Sequence, residues 1–95
     1  MKTLKSGWVE GSVKDFLDLS DADVEYIELR RALGKMVREA RHKLHLTQVQ
    51  MAARLRTSQS RLAKMEKADP TVSSDLMLRS LFRLGLTRKQ LAQAI

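Results

Sequence analysis

A chain of 95 residues with 43% hydrophobic and 31% charged side chains has room for one domain with a modest core and lies outside the compositional range of disorder. Aromatics are only 4% and cysteine is absent, so the core must come from Leu, Met, Ala and Val, and disulfides and thiolate metal sites are excluded. The net charge of +7 is unevenly divided: residues 1–29 hold three lysines against seven carboxylates (net −4), and residues 30–95 hold fifteen Lys and Arg against four carboxylates (net +11).

A body this basic attracts polyanions, and phosphate binding through counterion release falls steeply with salt. Charge alone also leaves open a solvated basic surface with no specific partner. Lys2 and Lys5 are followed by no apolar run of signal-peptide type, and no window reaches the roughly 18 apolar residues of a membrane span. The expectation is a cytoplasmic protein without membrane contact.

Residues 1–20 read as an acidic, irregular N-terminal arm. The stretch SGWVEGSVKDFLDLS has two glycines, little periodicity and a lone Trp8, with Val13, Phe16, Leu17 and Leu19 free to dock on something. Residues 21–95 read as one helical domain. Ser20 with Asp23 forms a start like a capping box, with Asp in place of the usual Glu or Gln. Asp21, Asp23, Glu25 and Glu28 crowd the first two turns, where the helix dipole favours negative charge. Tyr26, Leu29, Leu33, Met36, Val37, Ala40 and Leu44 then recur at three- and four-residue steps, the stripe of one long helix over about 21–45.

Shorter helices follow. Thr47 and Gln50 make a capping box that opens a helix with Met51, Ala52 and Leu55 inward. Ser58 caps the next, with Leu62 and Met65 spaced for burial and Pro70 as its stop. Ser73 or Ser74 caps a fourth with Leu76, Leu78, Leu81, Phe82 and Leu84 apolar, and Gly85 stands where a left-handed C-cap belongs. Thr87 and Gln90 open a fifth, LTRKQLAQAI, an echo of LTQVQMAARL at residues 46–55. No strand-like alternation appears, so the chain is expected to be all-α with five helices.

A helix of about eight residues, a break of about three and a second helix is helix-turn-helix spacing, whose second helix enters the DNA major groove. The stretch TQVQMAARLRTSQSRLAKMEK also resembles the DNA-binding unit of the phage-repressor-like, or XRE, family over roughly residues 33–85. The shared features are its Thr-Gln start, Met-Ala pair, Ser at the recognition-helix cap and apolar-Glu close. The resemblance implies a lambda-repressor-like fold, with Ala52 small where two helices cross and Met51, Leu55, Leu62 and Met65 as their wedge. It implies a structural ion pair of Glu66 with Arg41. Arg56 departs from the family, which usually has glycine in the turn; if the turn keeps a left-handed residue, arginine costs roughly 1–2 kcal/mol. Thr57 and Ala63 are milder departures.

By the same resemblance Gln59, Ser60 and Lys64 face the groove, with Arg61 beside them. Gln grips an adenine edge and Lys reaches guanine acceptors. Taken singly, these are ordinary exposed polar residues of a helix. Gln48 resembles the family's phosphate-gripping glutamine at a helix amino end. Arg54, Arg56, Ser58 and Lys67 are further phosphate candidates, the charged ones otherwise being solvated. The first LTxxQ copy is followed by a turn and a complete recognition helix and so is the DNA reader. The second reads as a terminal helix packing Leu86, Leu91 and Ile95 on the core or on a second subunit.

His42 and His45 lie about a turn apart, but no Cys and no third ligand accompany them, so a solvated or phosphate-facing pair is expected and no metal or cofactor. No glycine-rich phosphate loop or nucleophile-base-acid spacing occurs, and no enzymatic activity is expected. The acidic arm running into a helix-turn-helix is similar to small antitoxins of HigA type, which mask RelE-like ribonuclease toxins and repress their own operons. That similarity implies a double-stranded DNA operator with an inverted repeat, a homodimer, and a basic toxin contacted by Phe16, Leu17, Leu19 and nearby carboxylates. Asp18 stands where a glycine is frequent. Alternatively, the arm caps its own core or repels nonspecific DNA, and the protein is an interaction module that binds nucleic acid only loosely.

Overall fold

The computed structural model describes residues 18–95. Trp8, Val13, Phe16 and Leu17 of the arm lie outside them. Among the described residues the fold is all-α: α1 (Asp21–Lys43), α2 (Gln48–Leu55), α3 (Gln59–Glu66), α4 (Ser74–Arg83) and α5 (Arg88–Ala94). None of these helices is long and apolar enough to cross a membrane.

All five starts are capped by the side-chain oxygen of a Ser or Thr: Ser20, Thr47, Ser58, Ser73 and Thr87. Three of them are complete capping boxes, including Ser20 with the shorter Asp23, whose Oδ2 accepts from the Ser20 backbone N–H at 3.1 Å. Four ends also share one device. His45, Arg56, Ala68 and Gly85 adopt positive φ of 57°, 57°, 54° and 98°. The N–H after each returns to a carbonyl five residues back, as in Thr57 to Ala52 at 2.9 Å and Leu86 to Leu81 at 3.2 Å. Only one of these four residues is glycine.

Pro70 therefore does not stop α3. The helix ends at Glu66, where Ala68 turns left-handed and the Asp69 N–H caps the Lys64 carbonyl at 2.9 Å.

The core consists of Leu33 and Val37 of α1, Met51, Ala52 and Leu55 of α2, Leu62 and Met65 of α3, Val72, and Met77 and Leu81 of α4. Helix α1 packs on α3 and α4, and α2 packs on α3. Two apolar expectations fail. Tyr26 and Leu44, at either end of the α1 stripe, are exposed, because the helix outruns the core at both ends. In α4 the inward face is Met77, Ser80 and Leu81, and Phe82 is 41% exposed. Met77 sets that face, and Phe82, five positions on, has rotated off it.

At Gly34 α1 runs close against the end of α3. A β-carbon there would lie 2.7 Å from the Met65 carbonyl oxygen and 3.0 Å from that of Glu66, both backbone atoms that cannot swing away. At the far end, Leu86 and Leu91 rest half-buried against the core, but Ile95 is 57% exposed, one residue beyond the end of α5.

Candidate nucleic-acid interface

Helices α2 and α3 are joined by Arg56, Thr57 and Ser58. The left-handed turn is kept without glycine: Arg56 sits at φ 57°, ψ 45° with its side chain exposed, and Thr57 is half-buried. Ser58 then caps α3 by accepting from the Arg61 N–H at 3.1 Å. Met51, Ala52, Leu55, Leu62 and Met65 are buried where the two helices face each other. Gln59, Ser60, Arg61 and Lys64 of α3 are all exposed. Packing one face so tightly leaves the polar face presented as a rigid strip.

Behind that strip lies an ion pair. Arg41 Nε donates to Glu66 Oε2 at 2.7 Å and Nη2 to Oε1 at 3.0 Å, while Nη1 caps the Leu46 carbonyl at 3.2 Å. The side chains are 13% and 4% exposed. Hydrogen bonding to Glu66 raises the Arg41 pKa above its already high ordinary value, outweighing desolvation. Gln48, the first residue of α2, is half-buried: its Nε2 donates to Glu66 Oε1 at 3.2 Å, and its Oε1 accepts from Gln59 Nε2 at 3.4 Å. The first residues of α2 and α3 thus meet side by side.

The expected phosphate contacts are less gathered. Arg54 and Arg56 are exposed at the carboxyl end of α2 and in the turn. Lys67 lies at the opposite end of α3 from Gln59, beside a cleft of about 650 Å³ also lined by Tyr26, Arg30, Arg31 and Pro70. His42 and His45 are exposed, and no group of three metal-ligating side chains occurs among the described residues.

The model of a helix-turn-helix domain family matches residues 16–92, from before α1 into α5. The chain belongs to that family. A helix-turn-helix domain is a DNA-binding unit, so DNA is this protein's partner. No curated protein and no solved structure matches the chain.

The helix-turn-helix domain also uses residues that spacing did not single out. Arg30 ties the α3–α4 connection to α1, donating to the Ser74 hydroxyl at 2.9 Å, the Asp69 carbonyl at 2.8 Å and the Val72 carbonyl at 2.5 Å. The Tyr26 hydroxyl joins it at Ser74. The available signal was a charge inside the apolar stripe, since Arg30 lies four residues after Tyr26 and three before Leu33. Arg83 Nη1 caps the Leu55 carbonyl at the end of α2, at 3.3 Å. No local pattern signals that contact.

Proposed function

We propose that this helix-turn-helix domain is a sequence-specific transcriptional repressor that acts as a homodimer on an inverted-repeat operator. We further propose that it is the antitoxin of a pair with a basic, RelE-like toxin and controls its own operon. The observation that carries the DNA reading is the exposure of Gln59, Ser60, Arg61 and Lys64 together on α3, with the other face of that helix locked against α2. In this reading Gln59 addresses adenine, Lys64 and Arg61 guanine acceptors, and Ser60 a neighbouring base edge. Gln48, Arg54, Arg56, Ser58 and Lys67 hold phosphates and set the register. A dimer follows because one recognition helix covers only a few base pairs and symmetric operators space half-sites about one DNA turn apart.

The toxin reading is supported by charge. Asp23, Glu25 and Glu28 are exposed at the start of α1, close to half-buried Leu19 and to Tyr26 and Ile27, both exposed. These carboxylates suit a basic protein. The arm and helical body, divided near residue 20, would then serve two different partners.

The first test is selection of bound duplexes from a random pool, with wild type and Gln59→Ala in parallel at near-physiological salt. An enriched inverted repeat that blurs at fixed positions in the variant is expected; equal enrichment of all sequences by wild type would sink sequence-specific repression. Co-expression with the neighbouring gene product tests the antitoxin role, which fails if capture is unchanged after deletion of residues 1–20.

A further inference from the structure

We infer that the buried Arg41–Glu66 pair sets the donor–acceptor polarity of Gln59 through Gln48, making Glu66 a positioning residue for base recognition as well as a core contact. The inference rests on the reading of Gln59 as a base contact. A carboxylate only accepts hydrogen bonds, and Glu66 is held in place by two bonds from Arg41. Gln48 must therefore turn its amide nitrogen toward Glu66, as its 3.2 Å bond does, and its carbonyl oxygen away. That oxygen accepts from Gln59 Nε2 at 3.4 Å. Gln59 thereby spends one of its two amide hydrogens inward, and its Oε1 with the remaining N–H is left for the groove.

An acceptor and a donor side by side complement the amino group and N7 of adenine, whereas guanine offers two acceptors at the same edge. An amide free to flip could present either order. The relay couples Arg41 on α1, Glu66 at the end of α3, Gln48 on α2 and Gln59 at the start of α3. The links lengthen outward, from 2.7 Å at Arg41–Glu66 to 3.2 Å at Glu66–Gln48 and 3.4 Å at Gln48–Gln59, and each donor–acceptor pairing selects the orientation of the next.

The test uses the duplex selected by the wild-type protein and its single-base variants at the position that Gln59→Ala blurs. Arg41→Met/Glu66→Met removes the pair without leaving a buried charge, a replacement that preserves folding where packing volume is kept. Its thermal midpoint is recorded, and its discrimination is measured well below that midpoint. Discrimination at the one position should fall about tenfold, within the range of a bidentate base contact, with other positions unchanged. In a Gln48→Met background the same double substitution should cause no further loss.

Full discrimination in the folded Arg41→Met/Glu66→Met variant overturns the inference, as does a loss that simply adds to that of Gln48→Met. If the double variant does not fold, Gln48→Met alone decides: it leaves the ion pair intact and cuts the relay, and unchanged discrimination overturns the inference. Retention of every preference by Gln59→Ala overturns the base-reading role itself, an outcome separate from failure of the relay.

Discussion

Glycine is absent from three of the four left-handed helix ends, and this leaves stability unused. Ala68 at φ 54° carries a β-carbon in a region that disfavours it by roughly 1–2 kcal/mol, partly offset by glycine's greater freedom in the unfolded chain. Ala68→Gly should stabilise the protein by about 0.5–1 kcal/mol, read as a higher denaturant midpoint at unchanged slope. Gly34 is the converse case. Its φ demands nothing, but the Met65 carbonyl 2.7 Å from any added β-carbon does. Gly34→Ala should cost about 1–3 kcal/mol, because α1 must lift from α3, and the same denaturation measurement checks it. Glu66→Ala should cost more, about 3–5 kcal/mol, since it leaves Arg41 charged and 13% exposed with no carboxylate.

Among the elements, the α1 cap and the α3–α4 connection carry a pH dependence and α2 and α3 carry the salt dependence. Hydrogen bonds from the Ser20 backbone and hydroxyl hold the Asp23 carboxyl below its ordinary value, and those from the Thr71 hydroxyl and backbone do the same for Asp69. A depressed folded-state pKa stabilises above the unfolded value of about 3.9, and the stabilisation is lost as pH falls through the lower folded value. Thermal midpoints should thus decline below about pH 4, and Asp23→Asn/Asp69→Asn should flatten that decline while starting lower at neutral pH. On the DNA side, Arg54 is exposed at the end of α2 and reads no base in the proposed scheme. Arg54→Ala should weaken all duplexes alike and reduce the slope of log affinity against log salt by about 1, measured by titration at several salt concentrations. A position-specific loss would instead place Arg54 among the readers.

For the whole molecule, the exposed acidic and basic side chains belong largely to different elements. Four exposed carboxylates, Asp21, Asp23, Glu25 and Glu28, lie in the first turns of α1, while Arg54, Arg56, Arg61 and Lys64 are exposed on α2, the turn and α3. Much of this was legible locally. The Ser and Thr caps, the boxes at Thr47 and Thr87 and the C-cap at Gly85 depend on residues within a turn or so of one another. The capping bonds observed run between neighbours three apart in sequence. The inward Leu33, Val37, Met51, Leu55, Leu62 and Met65 were legible because helical periodicity is itself a record of which side is buried. The burial of Met77 and the exposure of Phe82 were not legible, because several apolar residues in one short helix permit more than one inward face, and only the neighbour chooses.

What the sequence alone determined is the set of helices, their capped ends, the turn between α2 and α3 and the class of partner that a basic helix-turn-helix body attracts. The tertiary structure alone decided the Arg30 tie across 44 residues to Ser74, the closeness forced at Gly34, and the joining of Gln48 and Gln59 to the Arg41–Glu66 pair. Helix and cap formation depends on interactions within about four residues, which a linear pattern records. Contacts between helices depend on the crossing of packed surfaces, and no spacing in the chain encodes that.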